Sequence, residues 1–264
     1  MLKSDVFKHS TPSFYDRYMG PLLFEPYARY VAERVGPLRP NRILETAAGT
    51  GIVTRALRDA SPEATIVATD INPAVVKFGA VQVQSERVEF QVADAQNLPF
   101  EDASFDLVVC LFGIMFFPDK IRANAEAHRV LRPQGRYIVV TFDRLDLNPI
   151  PRAAGEAVAS LFPEDPRYME RGPFSYTDAA VMEKDLRAAG FEAVEVETIE
   201  LSSRVSARDA AHGIVLGSPF RGEIERLDAS ALERATDAVE RALEPWDGKS
   251  APLSAHLATA TRQG

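Results

Sequence analysis

The segment Arg42-Ile43-Leu44-Glu45-Thr46-Ala47-Ala48-Gly49-Thr50-Gly51 decides the fold class of this chain. An apolar pair typical of a buried strand precedes an acid, and two glycines follow. Glycines at a turn let backbone and ligand approach closely, because no side chain stands between them. Apolar residues at one-face helical spacing come next, at Ile52, Val53, Ala56, Leu57 and Ala60. A strand, a glycine-rich loop and a helix in this order indicate a nucleotide-type ligand at the carboxyl end of a parallel sheet.

Strand and helix patterns alternate across the first half of the chain. The predicted strands are 43–46, 65–69, 88–93, 105–111 and 136–142, and the predicted helices between them are 52–60, 73–84 and 121–131. Alternation with short loops favours a doubly wound α/β sheet over separate helical and strand regions.

The flanking segments have different patterns. We predict a helix over 5–36, a proline-rich lid at 144–176 with a helix at 152–161, and a helix over 178–189 capped by Thr177. Charge alternation at 194–201 predicts a strand near an edge, Ser206 and Ser230 predict two further helix starts, and 253–261 predicts a last strand. We therefore expect one domain over 1–264. Its core is 37–143, 177–201 and 253–262, and its lid segments are 1–36, 144–176 and 202–250.

Composition limits the classes of partner. The net charge of −8 argues against a general nucleic-acid binder. The one cysteine, Cys110, lies in an apolar run and is expected to be a buried hydrophobe, which excludes a cysteine-rich metal site. No pair of histidines has metal-ligand spacing, so no metal is expected. No segment has the length of a membrane span, and a cytoplasmic protein, monomeric or homodimeric, is expected.

Two common phosphate-binding motifs fail on spacing. Aligning a dinucleotide fingerprint on Gly49 and Gly51 puts Thr54 where the third glycine should lie. No Gly-Lys-Ser/Thr follows the loop, so a P-loop is also disfavoured.

Acids end three successive strands at Glu45, Asp70 and Asp94. Carboxylates at one sheet edge would repel a pyrophosphate but suit a ligand with hydroxyls, an amine and positive charge. We expect Glu45 to hold an ammonium, Asp70 to accept a ribose diol and Asp94 to accept from an exocyclic amine. Asp70 has a second interpretation, since it could instead cap the helix that begins near Pro73.

S-adenosylmethionine carries all three of those groups, and from about Tyr15 to Phe142 the chain resembles the class I methyltransferases that use it. The resemblance is to the small-molecule group of ubiquinone/menaquinone-biosynthesis enzymes. The family's E/D-x-G-x-G-x-G motif matches 45–51, with Ala47 in place of its first glycine. Further matches, in order, are Asp70, Asp94-Ala95 followed by Leu98-Pro99-Phe100, 105–109 with 112–117, and 129–135 with Gln134 replacing a glycine.

The resemblance implies a seven-stranded, mostly parallel Rossmann-like sheet of order 3-2-1-4-5-7-6 with helical lid insertions. It implies S-adenosylmethionine as cofactor, S-adenosylhomocysteine as product, and methyl transfer by in-line displacement to O, N or C of a small, aromatic or apolar metabolite. The implied cofactor-binding residues are Tyr15, Glu45, Thr46, Ala47, Gly49, Gly51, Asp70, Ile71, Asp94, Ala95, Leu111 and Phe112.

The catalytic residues are not decided by the sequence, and Tyr18 and His212 are the candidates. His128 and His256 are interpreted as structural, and Met115-Phe116-Phe117 as either core or pocket wall. The predicted acceptor pocket draws on the segments outside the core, with Tyr18, Phe162, Tyr168, Met169, Phe174, Tyr176, His212, Phe220 and Trp246. Two alternatives stay open: an NAD-dependent oxidoreductase, and a protein with this fold but without catalysis.

Overall fold

The computed structural model describes residues 11–161 and 168–264. Residues 5–10 of the predicted first helix, the pocket candidate Phe162 and the side chain of Tyr168 lie outside the described part. Among the described residues, no helix combines the length and the apolar character needed to cross a membrane.

A seven-stranded sheet organises the chain. Its strands are β1 (Arg42–Thr46), β2 (Thr65–Asp70), β3 (Val88–Val92), β4 (Phe105–Leu111), β5 (Leu131–Phe142), β6 (Ala193–Arg204) and β7 (Ser250–Thr261). The order is β3-β2-β1-β4-β5-β7-β6. The strands from β3 to β5 pair in parallel, and β7 pairs antiparallel with β5. The fold class and strand order expected from the resemblance are confirmed.

Helices follow β1, β2 and β4, whereas β3 leads into β4 without a helix between them, and helices dominate the second half of the described chain. The α-helices are α1 (Pro12–Phe14), α2 (Glu25–Val35), α3 (Ile52–Ala60), α4 (Pro73–Gln82), α5 (Lys120–Val130), α6 (Pro149–Leu161), α7 (Tyr168–Arg171), α8 (Ala179–Ala188), α9 (Ala207–His212), α10 (Phe220–Ile224) and α11 (Ala231–Leu243). Residues Tyr15–Phe24 and Gly213–Gly217 are π-helical, and 3₁₀ turns occupy Gly36–Leu38, Ile114–Phe116, Leu145–Leu147 and Glu244–Trp246.

The chain divides into two compact units. The described part of the first unit is 11–27, 143–161, 168–175 and 200–254, and the second unit is 28–142, 176–199 and 255–264. The second unit carries most of the sheet and its central apolar strands. Their side chains, such as Ile43, Leu107 and Val140, are fully buried because helices cover both faces of a parallel sheet.

The structure corrects one predicted helix start, one predicted cap residue and one predicted capping bond. Helix α6 begins at Pro149 rather than 152, since proline is tolerated in the first helical turn, where its missing N–H has no partner to lose. The cap of α8 is Asp178 instead of Thr177: its carboxylate accepts from the backbone N–H of Ala180 at 2.8 Å. Ser230 is the N-cap of α11 as predicted, but its side chain makes no capping bond, because its hydroxyl donates to Asp228.

The first unit contains a close approach between its two π-helical segments. A Cβ on Gly213 would lie 2.9 Å from the Tyr18 Cβ, and one on Gly217 would lie 2.9 Å from the backbone nitrogen of Tyr15. Any larger residue at either glycine would push the segments apart. Backbone contact therefore fixes the position of Tyr15 and Tyr18 within this unit.

Candidate functional site

The carboxyl ends of β1, β2 and β3 meet at one edge of the sheet. The parallel register pairs Thr46 with Thr69 and Asp70 with Val92. Glu45 and Asp70 thus stand at adjacent strand ends, and Asp94 follows two residues after β3 ends. The edge carries three carboxyl groups in the second unit, as the spacing in the sequence predicts.

Asp70 fastens the glycine-rich loop to the next loop. Its Oδ2 accepts from the backbone N–H of Gly49 at 3.0 Å, and its Oδ1 accepts from that of Asn72 at 2.9 Å. The cap of α4 is Asn72, which accepts from Ala74, so the interpretation of Asp70 as the helix cap is wrong. The backbone N–H of Ile71 also interacts with this carboxylate, which offers about four acceptor sites in all and so can still accept from a ligand hydroxyl.

Glu45 is a buried acid with one strong partner. The residue is 2% exposed, and its carboxyl group accepts from the hydroxyl of Thr54 at 2.6 Å. Burial raises the pKa of Glu45 to about 8, and the negative charge of Asp70 adds to this effect, while the Thr54 hydrogen bond and Arg55 oppose it. The raised pKa favours the protonated form of Glu45 at neutral pH.

Asp94 is oriented by its own loop. Its Oδ1 accepts from the backbone N–H of Gln96 at 2.9 Å and from the side-chain Nε2 of Gln96 at 3.1 Å. Among the described residues, no hydrogen bond reaches its Oδ2. One carboxylate oxygen is thus held by the protein and the other is available to a donor.

The loop between β1 and α3 has a left-handed backbone at every second residue. Ala47, Gly49 and Gly51 have φ of 54°, 57° and 85°. A Cβ on Gly49 would meet no atom within 4 Å, whereas one on Gly51 would lie 2.7 Å from Val83 Cγ2. Glycine is therefore required at position 51 by the packing of Val83 against it. Gly49 faces open space, and its own backbone N–H is the one that donates to Asp70.

An open glycine face beside three carboxyl groups fits S-adenosylmethionine. A ligand backbone can approach Gly49, where a side chain would block it. Thr46 and Thr50 contribute buried hydroxyls to the same loop. Ile71 and Ala95, the residues after Asp70 and Asp94, are partly exposed and border the edge.

The end of β4 supplies an aromatic wall to the second unit. Leu111 ends the strand, and Phe112 has a left-handed backbone, with φ of 55°, held by a 2.8 Å bond from its N–H to the Val140 carbonyl. The Phe112 ring lies 4.3 Å from that of Phe142, centroid to centroid. Met115 and Phe117 are buried, while Phe116 is partly exposed, so core and surface roles are split within 115–117.

Tyr15, Tyr18 and His212 belong to the first unit, and the other predicted cofactor-binding residues to the second. The Tyr15 ring stacks on Phe24 at 5.2 Å, and the Tyr18 ring lies 6.0 Å from that of His212. Nδ1 of His212 is 2.7 Å from the Arg208 carbonyl oxygen. Since a carbonyl only accepts, this pairing assigns the proton to Nδ1 and leaves a lone pair on Nε2 of the neutral ring.

The remaining titratable candidates have structural contacts. His128 packs edge-on against Phe191, and His256 lies between the hydroxyl of Thr198 and the carbonyl of Thr177. Cys110 is fully buried, and burial raises the pKa of its thiol to about 11, which removes it as a nucleophile.

Tyr176, predicted for the acceptor pocket, lies in the second unit. Its hydroxyl donates to Asp185 at 2.9 Å, and its carbonyl accepts from the Thr141 hydroxyl. These contacts within the sheet unit hold Tyr176 at the end of β5. Met169, Phe174 and Phe220 are buried residues of the first unit, where Trp246 is partly exposed.

Sequence reasoning missed three residues that shape the site. They are Thr54, Gln96 and Gly113. In the sequence, Thr54 is notable only because it occupies the position of the third glycine of a dinucleotide fingerprint. It lies in the first turn of α3, where its side chain can reach back to the end of β1. Gln96 follows Asp94 by two residues, which is the spacing of a side-chain-stabilised turn.

Comparison with known proteins identifies the family of the chain. A family model described as a methyltransferase domain matches residues 44–139. The chain is 32% identical over 209 residues to a protein of Stutzerimonas stutzeri named ubiquinone/menaquinone biosynthesis C-methyltransferase UbiE, covering 72% of this chain and 81% of that one.

Many solved structures share the fold. The YcgJ protein of Bacillus subtilis superimposes with a TM-score of 0.60 at 19% identity, over 90% of this chain and 99% of that one. Phosphoethanolamine N-methyltransferase 2 of Haemonchus contortus, solved with phosphomonomethylethanolamine and S-adenosylhomocysteine, gives 0.66 at 16% identity, over 100% and 61%. By its sequence relatives, supported by fold and motif order, the chain belongs to the S-adenosylmethionine-dependent methyltransferases, in the group of the ubiquinone/menaquinone biosynthesis C-methyltransferases.

Proposed function

We propose that this methyltransferase transfers the methyl group to a small, aromatic or apolar metabolite. C-methylation is the first reaction to test, because relatives such as the Stutzerimonas stutzeri protein are named C-methyltransferases. The observation that carries the cofactor half of the proposal is the open face of Gly49 beside the Asp70 carboxylate. The acceptor half is supported by the aromatic residues of the segments outside the core, such as Phe174 and Phe220.

The proposed cofactor contacts follow from the free lone pairs and open faces at the sheet edge. Asp70 accepts the ribose hydroxyls, Asp94 accepts the adenine amine through Oδ2, and Glu45 stabilises the ammonium group. Ile71, Ala95, Leu111 and Phe112 enclose the adenosyl part, while Thr46, Ala47, Gly49 and Gly51 shape the loop beneath it. Tyr15 is proposed as a further contact from the N-terminal helix.

Bound S-adenosylmethionine supplies an electrophilic methyl group on a sulfonium centre. The protein needs mainly to hold the nucleophile in line at near-attack distance, because orientation alone supplies a large rate factor. The acids at the strand ends hold the donor half of this geometry. Proton removal from the acceptor is the one remaining chemical requirement.

His212 is the proposed general base and Tyr18 its neighbour. The Nδ1 contact with the Arg208 carbonyl keeps the lone pair on Nε2, where a base needs it. Replacing His212 with glutamine should lower kcat by about a hundredfold or more, in the range of general-base catalysis, without changing the affinity for S-adenosylhomocysteine. An unchanged kcat with every acceptor would remove His212 from the mechanism.

Calorimetry with S-adenosylmethionine, S-adenosylhomocysteine and NAD, followed by a panel of small acceptors, tests the proposal. We expect binding of the first two and turnover of an apolar or aromatic acceptor. Binding of NAD alone would favour the oxidoreductase alternative, and cofactor binding without any turnover would favour the non-catalytic one. Methylation of RNA or protein instead of small acceptors would overturn the substrate class.

A cytoplasmic location and a monomeric or homodimeric state complete the proposal. Cell fractionation and light scattering on the purified chain test these two points. The net charge of −8 supports the absence of a nucleic-acid partner.

A further inference from the structure

The side-chain amide of Gln96 joins the end of β3 to the start of α5. Its Nε2 donates to Asp94 Oδ1 at 3.1 Å, and its Oε1 accepts from the backbone N–H of Asp119 at 3.0 Å. Asp119 is the N-cap of α5, where its own carboxylate accepts from Arg122 at 2.9 Å. One amide thus connects the Asp94 carboxylate with the cap residue of α5, which lies 23 residues away from Gln96.

A second bond fastens the same two segments. The guanidinium Nε of Arg122 donates to the backbone carbonyl of Gln96 at 2.8 Å. Gln96 is therefore held by its backbone and by both ends of its amide. A side chain restrained in this way has little rotational freedom left, and it transmits that restraint to the carboxylate it contacts.

The position requires an amide. It must donate toward Asp94 and accept from Asp119, and glutamine provides one donor group and one acceptor group at the same distance from its backbone. A carboxylate there would face another carboxylate across about 3 Å, where two like charges strongly disfavour each other. A hydrocarbon would make neither bond.

The result is a carboxylate with one restrained face. Both bonds from Gln96 reach Asp94 Oδ1, and within 11–161 and 168–264 no hydrogen bond reaches Oδ2. Rotation of the carboxylate would break the Nε2 bond and weaken the backbone one. Oδ2 is consequently kept in one orientation, ready for a donor approaching the sheet edge.

We propose that Gln96 is a positioning residue that aims Asp94 Oδ2 at the exocyclic amine of the adenine ring. This inference rests on the proposed cofactor contacts and adds a residue to them. If Gln96 has this role, the first turn of α5 also supports adenine recognition, because Asp119 and Arg122 hold Gln96 in place. Gln96 touches no reacting atom and acts only through Asp94.

The test compares two nucleoside ligands in calorimetry. S-adenosylhomocysteine offers the amine to Asp94, whereas S-inosylhomocysteine carries a carbonyl at that ring position. Gln96→Met should weaken binding of the first by about five- to tenfold and of the second by less than twofold. Steady-state kinetics should show a raised KM for S-adenosylmethionine at unchanged kcat. Gln84→Met, at an exposed glutamine on the loop after α4, is the matched control.

Gln96→Glu gives an independent readout if Gln96→Met folds poorly. At neutral pH the new carboxylate repels Asp94, and S-adenosylhomocysteine affinity should fall more than tenfold. At pH 5 the protonated group can donate again, and part of the affinity should return, which loss of structure would not produce.

Three outcomes contradict the inference. Equal losses for both ligands, or no loss in a folded Gln96→Met variant, would overturn it while the proposed cofactor site stands, provided the wild-type chain binds S-adenosylhomocysteine. Failure of the wild-type chain to bind that ligand would overturn the proposed function and the inference with it.

Discussion

Ala47 and Gly113 face each other so closely that a methyl group on Gly113 would lie 2.4 Å from the Ala47 Cβ. Ala47 is the residue that departs from the glycine pattern of the loop, and its φ of 54° is one that an L-residue adopts with strain. Gly113 follows β4, 66 positions later, and its φ of −104° is open to any residue. Gly113 is therefore required by lack of space rather than by backbone conformation, and Ala47 makes the closest approach.

A double-mutant cycle tests this pairing. Gly113→Ala should lower the free energy of unfolding by about 1–3 kcal/mol, the usual effect of overpacking. Ala47→Gly should be near neutral, because relief of backbone strain offsets the added freedom of the unfolded chain. In the double variant at least half of the Gly113→Ala loss should return, although the Cys110 sulfur at 3.2 Å prevents full recovery. Additive denaturation free energies would show that the two residues do not interact.

The two loop glycines should respond in opposite ways to alanine. Gly49→Ala places a methyl group in open space, so it should cost only about 1 kcal/mol of stability for the left-handed backbone while weakening S-adenosylhomocysteine binding at least tenfold. Gly51→Ala drives a methyl group into Val83 and Phe90 and should destabilise the fold by more than Gly49→Ala does. Thermal unfolding and calorimetry on both variants check this, and equal stability losses would contradict the assignment of Gly51 to packing.

Asp70 should be essential for affinity. Asp70→Ala removes the acceptor for the ribose and for the Gly49 amide, and we expect at least a tenfold loss of S-adenosylhomocysteine affinity, about 1.4 kcal/mol or more. Asp70→Asn keeps one acceptor oxygen and should lose less than Asp70→Ala. Glu195→Ala, at an exposed acid on β6, serves as the control. Unchanged affinity in Asp70→Ala would remove this residue from the ribose site.

Glu45 should make stability depend on pH. Its folded pKa of about 8 exceeds the ordinary value of 4.5, so the folded chain retains a proton that the unfolded chain has lost. The contribution of Glu45 to the free energy of unfolding has its full value below about pH 4.5. It declines by about 1.4 kcal/mol per pH unit as the pH rises from there to about 8. Glu45→Gln keeps the Thr54 bond and cannot ionise, so it should match the wild type at pH 4.5 and exceed its stability at pH 8.

Denaturant titrations of the ligand-free protein at pH 4.5, 6 and 8 measure this difference. Glu195→Gln, at the exposed acid on β6, should leave the pH dependence as it is in the wild type. The same Glu45→Gln variant should bind S-adenosylhomocysteine more weakly, since it cannot offer a negative charge to the ammonium group. Parallel stability curves for wild type and Glu45→Gln would show that Glu45 ionises normally in the folded chain.

Local sequence patterns were sufficient to place most of the sheet. Helix α3 and strand β4 have the predicted bounds, because their apolar periodicity ends at clear turn residues. Boundaries that depend on side-chain hydrogen bonds were predicted less well. Thr177 and Asp178 are both reasonable caps by composition, and only the position of the Asp178 carboxylate against two amides decides between them. The order of the seven strands, from β3 at one edge to β6 at the other, was implied by the resemblance to the methyltransferase family and required no knowledge of side-chain packing.

The sequence by itself determined that this chain forms a doubly wound sheet with three acids at successive strand ends, because alternation and chain order are local properties. Only the tertiary structure decided the burial, the hydrogen bonds and the orientation of each acid. The raised pKa of Glu45 depends on burial and on Thr54, the aim of Asp94 depends on Gln96, and the tolerance of Ala47 depends on Gly113. Desolvation, hydrogen-bond geometry and steric fit arise between atoms in the folded chain, including groups as distant in sequence as Ala47 and Gly113, and no spacing along the sequence specifies those distances.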